Sequence, residues 1–189
     1  MPTYARSVLI YSMSVTLDGY IADRAGGFGW STPGEDQFRF SLAQVGELGA
    51  YLCGRRLYET MLPWETDPLM RGTPLGHAFA DVWAALPKVV FSRTLDRVEG
   101  SARLATGSVA EEVAAALAGT DGDVSIGGAG LAAQAIALGL LDEVRAFRNP
   151  LVVGGGTPFL PPVAETFHLD LVETRTFGSR VVYERHRRA

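Results

Sequence analysis

The sequence predicts an α/β fold: a central, mainly parallel mixed sheet with helices on both faces and an antiparallel hairpin at its C-terminal end. Three observations predict it. Short apolar runs of strand character alternate with helix-length segments, the pattern of a parallel sheet covered by its crossovers. The run Val124-Ser125-Ile126 leads through Gly127-Gly128-Ala129-Gly130 into the small-residue segment 131–138, which reads as strand, tight turn and helix start. Two alternating stretches, 168–176 and 180–187, flank Gly178-Ser179 as the arms of a β-hairpin flank its turn.

Taken in order, Val8 to Val15 is β-branched and aliphatic and ends at the turn signal Asp18-Gly19, so it is the first core strand. Residues 23–34 carry four glycines and a proline around Phe28 and Trp30, a loop with a large apolar content. Glu35 to Leu48 is predicted helical, with acidic residues in its first turn and Phe38, Leu42, Val45 and Leu48 on one face. Ala50 to Cys53 is a short strand, and Gly54 turns it into a helix that Pro63 ends. Leu62 to Gly76 holds three prolines and two glycines and is expected to be a mobile surface loop. His77 to Leu86 reads as helix, Lys88 to Phe91 as buried strand and 102–105 as a further short strand. Ser108 and Glu111 form a capping box for a helix closed by Gly119. Glu143 to Phe147 and Leu151 to Val153 are expected to be strand broken near Pro150, followed by the glycine loop 154–156.

Composition narrows the function. A chain of 189 residues, 47% hydrophobic and 20% charged, is expected to form one domain over 1–189. A net charge of −4 offers no general attraction to nucleic acid or an anionic membrane, and Arg185-His186-Arg187-Arg188 reads as a solvated end. Cys53 is the single cysteine, which excludes an internal disulfide, and His77, His168 and His186 show no ligand spacing, so no metal is implied. With no apolar run long enough for a signal core or a membrane span, a cytoplasmic protein is expected.

The chemistry concentrates at three predicted strand ends, Gly54-Arg55-Arg56, Ser92-Arg93 and Gly127 to Leu131, where an α/β sheet binds its ligands. The glycine turn offers outward-facing amides at the positive end of a helix dipole, a seat for a phosphate. Arg55 and Arg56 have the wrong sign for a helix N-terminus unless an anion lies between. Arg93, beside the Ser92 hydroxyl, suits a terminal phosphate gripped by two parallel hydrogen bonds. A pyrophosphate seat with a separate arginine-rich phosphate seat is what NADPH requires and NADH does not.

The order of Leu17-Asp18-Gly19-Tyr20-Ile21-Ala22, Gly54-Arg55-Arg56-Leu57-Tyr58-Glu59-Thr60-Met61, Val90-Phe91-Ser92-Arg93 and Ile126-Gly127-Gly128-Ala129-Gly130 resembles the dihydrofolate reductase superfamily. Leu151 to Pro158, with its three glycines, resembles more closely the C-terminal reductase domain of the bifunctional riboflavin-biosynthesis deaminase/reductase and its stand-alone relatives. The resemblance spans nearly the whole chain. It implies a dihydrofolate-reductase-like three-layer fold and an NADPH-dependent oxidoreductase, commonly a homodimer, that transfers a hydride to a C=N or C=O bond of a small pteridine-like or pyrimidine-like heterocycle. Reduction of a phosphoribosylamino-pyrimidine and non-catalytic NADPH binding, as a sensor or accessory protein, stay open beside it.

By position, the resemblance puts Ser14 and Ile21 beside the nicotinamide half. Gly54, Arg55, Arg56, Ser92 and Arg93 go beside the adenosine and its extra phosphate, and Gly127, Gly128, Ala129, Gly130 and Leu131 around the pyrophosphate, with Gln134 near. It makes Glu35, or equally Asp36, the catalytic acid that holds an amino-pyrimidine edge and supplies a proton; favouring a helix N-terminus is the other reading of both. Trp30, Phe38 and Asp18 are the candidate substrate contacts, and Asp18 also reads as a plain turn residue. Ala132 and Arg39 depart from the folate-reductase pattern and put folate itself in doubt.

Overall fold

In the computed structural model, which describes residues 7–189, each element starts or stops on local chemistry. Strand β1 (Leu9–Thr16) ends where the Thr16 hydroxyl donates to Asp18 and accepts from the Tyr20 amide, turning the chain into β2 (Tyr20–Ala22). Helix α1 (Glu35–Gly46) carries Glu35 and Asp36 in its first turn, the sign its dipole favours. Strand β3 (Leu48–Gly54) runs directly into α2 (Arg55–Met61), and Pro63 opens the single turn α3 (Pro63–Thr66). Helix α4 (Pro74–Ala85) has Pro74 at its first position and Thr73 as its cap, the Thr73 hydroxyl accepting from the Gly76 amide at 3.0 Å.

Strands β4 (Lys88–Phe91) and β5 (Ala102–Leu104) precede α5 (Val109–Ala118), whose capping box is formed in both directions between Ser108 and Glu111. Strand β6 (Asp123–Gly127) passes through Gly128 into α6 (Ala129–Ala137). Strands β7 (Glu143–Asn149), β8 (Thr157–Pro158), β9 (Leu169–Thr176) and β10 (Val182–Arg188) complete the order.

Eight strands form one sheet in the order β5-β4-β3-β6-β1-β7-β10-β9. The first six are parallel, and the hairpin β9–β10 adds antiparallel to β7. Leu9, Tyr11 and Val15 of β1 pack with Val109, Val113, Leu131, Ala132 and Ala135 of α5 and α6 on one face. The other face lies under α1 and α4, where Phe38, Leu42 and Val45 join Phe79 and Trp83. This is the mixed, helix-covered sheet with a terminal hairpin that the sequence predicts. A separate ribbon pairs β2 with β8.

Three expectations are corrected. Leu62 to Gly76 is packed structure: Trp64 of α3 packs in tilted contact with Phe38 and Phe79, and residues 68–71 form a 3-10 turn. The apolar payload of Trp64 outweighs its proline-rich surroundings. Residues 151–153 are irregular, because the chain leaves the main sheet at Pro150 and rejoins it only at β9, after β8 has paired with β2. The C-terminal arginines are a structural device, since Arg185 and Arg187 both bind the fully buried Glu143.

Glu112 makes a pH-dependent contribution to this fold. Its carboxyl is held down to about 2, first by the Arg103 guanidinium at 2.6 Å and then by the Thr106 and Gly107 amides. The unfolded chain binds a proton in a range where the folded state does not, so the contribution is present above pH 4.5 and is lost as pH falls toward 2. Glu112→Gln is expected to cost about 1–3 kcal/mol at neutral pH, the worth of a buried charged hydrogen bond. It should also flatten the fall of stability between pH 4.5 and 2, as measured by urea denaturation across that range.

Candidate active site

A cleft of about 680 Å³ opens at the carboxyl ends of β1, β3 and β6, with the β2–β8 ribbon as its far wall. Its base depends on two glycines. Gly128 has φ of 92°, a left-handed conformation that lets β6 turn into α6 with no side chain over the turn. At Gly127 a Cβ would run into Leu57 and the Tyr51 ring, so only glycine lets α2 close against β6. The first amides of α6 then face the cleft without intrahelical acceptors.

Arginines face this helix end. Arg55, Arg56 and Arg93 all line the cleft. Arg55 is already committed, its Nε donating to Glu59 and its Nη1 to Thr94, each at 2.7 Å. Arg56 and Arg93 have no ion pair among the described residues, so two guanidinium charges stand near a helix N-terminus with no protein counter-charge. An anion resolves that arrangement. The Ser92 hydroxyl accepts from the Thr94 and Leu95 amides at 3.1 and 3.0 Å and so fixes the turn that presents Arg93. A second recess of about 430 Å³ lies alongside, lined by Ser92, Gly107 and Gln134 and sharing Arg93 and Leu131 with the cleft.

The structure therefore brings Ser14, Ile21, Gly54, Arg55, Arg56, Arg93, Gly128, Ala129, Gly130 and Leu131 to the cleft, and Ser92 and Gln134 to the adjoining recess. Gly127 lies buried behind them. Other lining residues carried weaker signals. Thr60 lies one helical turn from Arg56, an i,i+4 spacing that sets both on one face of α2. Phe28, Ser31 and Thr157 reach the cleft only through the loop path and the β2–β8 pairing.

The predicted acid and substrate contacts lie elsewhere. Glu35 is exposed and ion-paired with Arg39 at 2.6 Å, one turn along α1. Asp36 accepts from the Gly178 amide at 2.8 Å, and that bond, with the Gln37 amide, holds its carboxyl below the usual range. Asp36 thus ties the hairpin tip to α1. Asp18 spans another gap, accepting from the Thr16 hydroxyl and from the Val153 and Gly154 amides, which also keeps its carboxyl low. It clamps the glycine loop to β1. Phe38 is core, against Phe79 and Trp64, and Trp30 lines neither recess. Among the described residues no carboxylate lines the cleft; its polar groups are hydroxyls, amides and guanidiniums.

This sheet, with a glycine turn and arginines lining the cleft at its parallel strand ends, has a dihydrofolate-reductase-like fold. Dihydrofolate reductase from Enterococcus faecalis, solved with NADP(H) and RAB-propyl, superposes with a TM-score of 0.62 over 97% of both chains at 16% identity. A Shewanella sp. PV-4 protein described as a riboflavin biosynthesis protein superposes with a TM-score of 0.76, covering 96% of this chain and 99% of that one at 21% identity.

Within that class the chain belongs to the family of the RibD C-terminal domain, whose model matches residues 7–183. The Bacillus subtilis (strain 168) protein YyaP is 32% identical over 182 residues, covering 92% of this chain and 91% of its own. Membership supports an oxidoreductase of the riboflavin-pathway reductase type. No described helix is long and apolar enough to cross a membrane.

Proposed function

We propose that the chain is an NADPH-dependent reductase acting on a C=N or C=O bond of a small heterocycle. The observation that carries this is the pairing of a glycine turn at the α6 N-terminus with Arg93, which stands between the two recesses. The arrangement supports a dinucleotide with an extra phosphate: the helix amides suit its pyrophosphate, and Arg93 with Ser92 suits the third phosphate. When bound, the cofactor supplies a hydride from its nicotinamide ring.

The chain's own residues orient, shield and hydrate. Met13, Ile21, Phe28 and Leu57 form apolar walls that exclude bulk water from the reacting rings. Ser14 and Thr157 also line the cleft, each bringing a hydroxyl. With Glu35 and Asp36 engaged outside the cleft, the proton that completes reduction comes from solvent relayed by these hydroxyls. Strand β9 is an exposed edge with Leu171 and Val172 outward, which supports pairing of two copies.

Ala129→Glu tests the reading through two opposed effects. A carboxylate at the first position of α6 suits the helix dipole and is expected to leave the melting temperature of the free protein unchanged or raised. In the phosphate seat the same charge repels the cofactor, and NADPH affinity by fluorescence titration is expected to fall at least about tenfold, the scale of one lost charged contact. Undiminished NADPH binding in this variant rules out the α6 seat.

A further inference from the structure

We propose that the small cavity beneath α1 is a subsite for a carboxylate borne on a planar ring, anchored by Arg145. The register of the sheet builds its floor: Ser12 lies beside Arg145, and Ser125 beside Ile10 in the neighbouring row. Val45 of α1, Leu48 of β3 and Phe79 and Trp83 of α4 cover it, and the volume is about 150 Å³. A void of this size takes a benzene-sized ring.

The polar end of the cavity is short of negative charge. The Arg145 side chain is only 7% exposed, and its Nε donates to Glu143 at 2.6 Å. That same carboxylate, fully buried, also binds Arg185 at 2.8 and 2.9 Å and Arg187 at 3.4 Å. One carboxylate thus serves three guanidiniums, with Glu173 across the sheet from Arg185 as the further acidic neighbour. Among the described residues no protein acceptor takes a hydrogen bond from the terminal nitrogens of Arg145. The terminal nitrogens of Arg145 therefore keep free donors at the cavity wall, and the planar fork they form matches the two oxygens of a carboxylate. The aromatic walls supply the matching surface for a flat ring.

The subsite adjoins the cleft. Leu57 lines both, and Ser12 and Ser14, two residues apart on one face of β1, line the cavity and the cleft respectively. A molecule anchored on Arg145 therefore lies next to the proposed hydride donor. The inference rests on the reductase reading for one point only, that the bound acid is part of the substrate; it then names a substrate with an acidic ring, where a buried carboxylate at Glu35 would have selected a basic, amino-bearing one.

Benzoate and its uncharged isostere benzamide are the probes, titrated into the full chain with tryptophan fluorescence as readout because Trp83 forms one wall. Benzoate is expected to bind about tenfold or more tightly than benzamide, the gain of a charge-assisted pair. Arg145→Lys should remove most of that preference. Ser41→Leu, which fills the cavity from α1 without touching the Glu143 cluster, should abolish benzoate binding, with the melting temperature reporting that the variant is folded. Equal binding of the two probes, or benzoate binding unchanged in folded Ser41→Leu, overturns the proposal. A separate NADPH titration distinguishes the two readings: failure of NADPH with Arg145-dependent benzoate binding removes the reductase and leaves the subsite, and the converse does the reverse.

Discussion

Arg93→Ala is expected to abolish discrimination between NADPH and NADH while leaving NADH affinity close to that of wild type. Arg93 stands where the cleft meets the second recess, exposed to solvent and without an ion pair among the described residues. Its charge is therefore available to a ligand rather than spent within the protein. A guanidinium held against a phosphate by two hydrogen bonds is worth about 1–3 kcal/mol when partly solvated. Wild type should then prefer NADPH by roughly five- to 150-fold, a preference that shrinks as salt screens an exposed pair. Arg55→Ala should cost much less, because that side chain is already held by Glu59 and Thr94. Calorimetric titration of both cofactors decides the matter. An equal loss of NADPH and NADH in Arg93→Ala would move this arginine to the pyrophosphate, and failure of wild type to bind either would end the cofactor reading.

Glu65→Ala is expected to destabilise the protein by about 3–5 kcal/mol, a large share of the 5–15 kcal/mol typical of a domain. Glu65 sits on α3 with its side chain 7% exposed, 2.9 Å from Lys88 at the start of β4, whose side chain is 1% exposed. The Lys88 ammonium also donates to the carbonyls of Trp83 and Leu86 and to the Ser101 hydroxyl. Burial already pushes its pKa down from 10.5, opposed chiefly by Glu65. Without that carboxylate the ammonium keeps its acceptors but loses its counter-charge in the interior.

The sign of the pH effect follows. Between the depressed folded value and the unfolded value of 10.5 the unfolded chain holds more protons, so stability of Glu65→Ala should rise with pH in the alkaline range, and more steeply than wild type. The double variant Glu65→Ala/Lys88→Met should recover most of the loss, since an apolar pair leaves no buried charge. Chemical denaturation of wild type and the two variants tests this, and a loss below about 1 kcal/mol for Glu65→Ala would show that the pair is solvated.

The elements were legible because their causes are local. The Ser108–Glu111 capping box, the glycine at 128 and the turn at Gly178-Ser179 each require only neighbouring residues, and the structure contains all three. The convergence on one cleft was legible for a related reason: in a parallel sheet the residues after successive strands converge whatever the loops do, so Arg56, Arg93 and Gly128 meet once the strands are placed. Phe38 misled because helical spacing shows which residues share a face but not what that face meets, and here it meets Phe79 and Trp64.

By itself, then, the sequence determined the alternation of strands and helices, the glycine turn at the parallel strand ends and the arginines beside it. Tertiary structure alone decided the fate of the charges. Glu35 points to solvent and Asp36 to the hairpin tip, Glu65 finds Lys88, and Glu143 gathers Arg145, Arg185 and Arg187 from two strands. A helix or a turn is set by hydrogen bonds among near neighbours, whereas the protonation and reach of an ionisable group depend on burial and on partners tens of residues away, which no local pattern encodes.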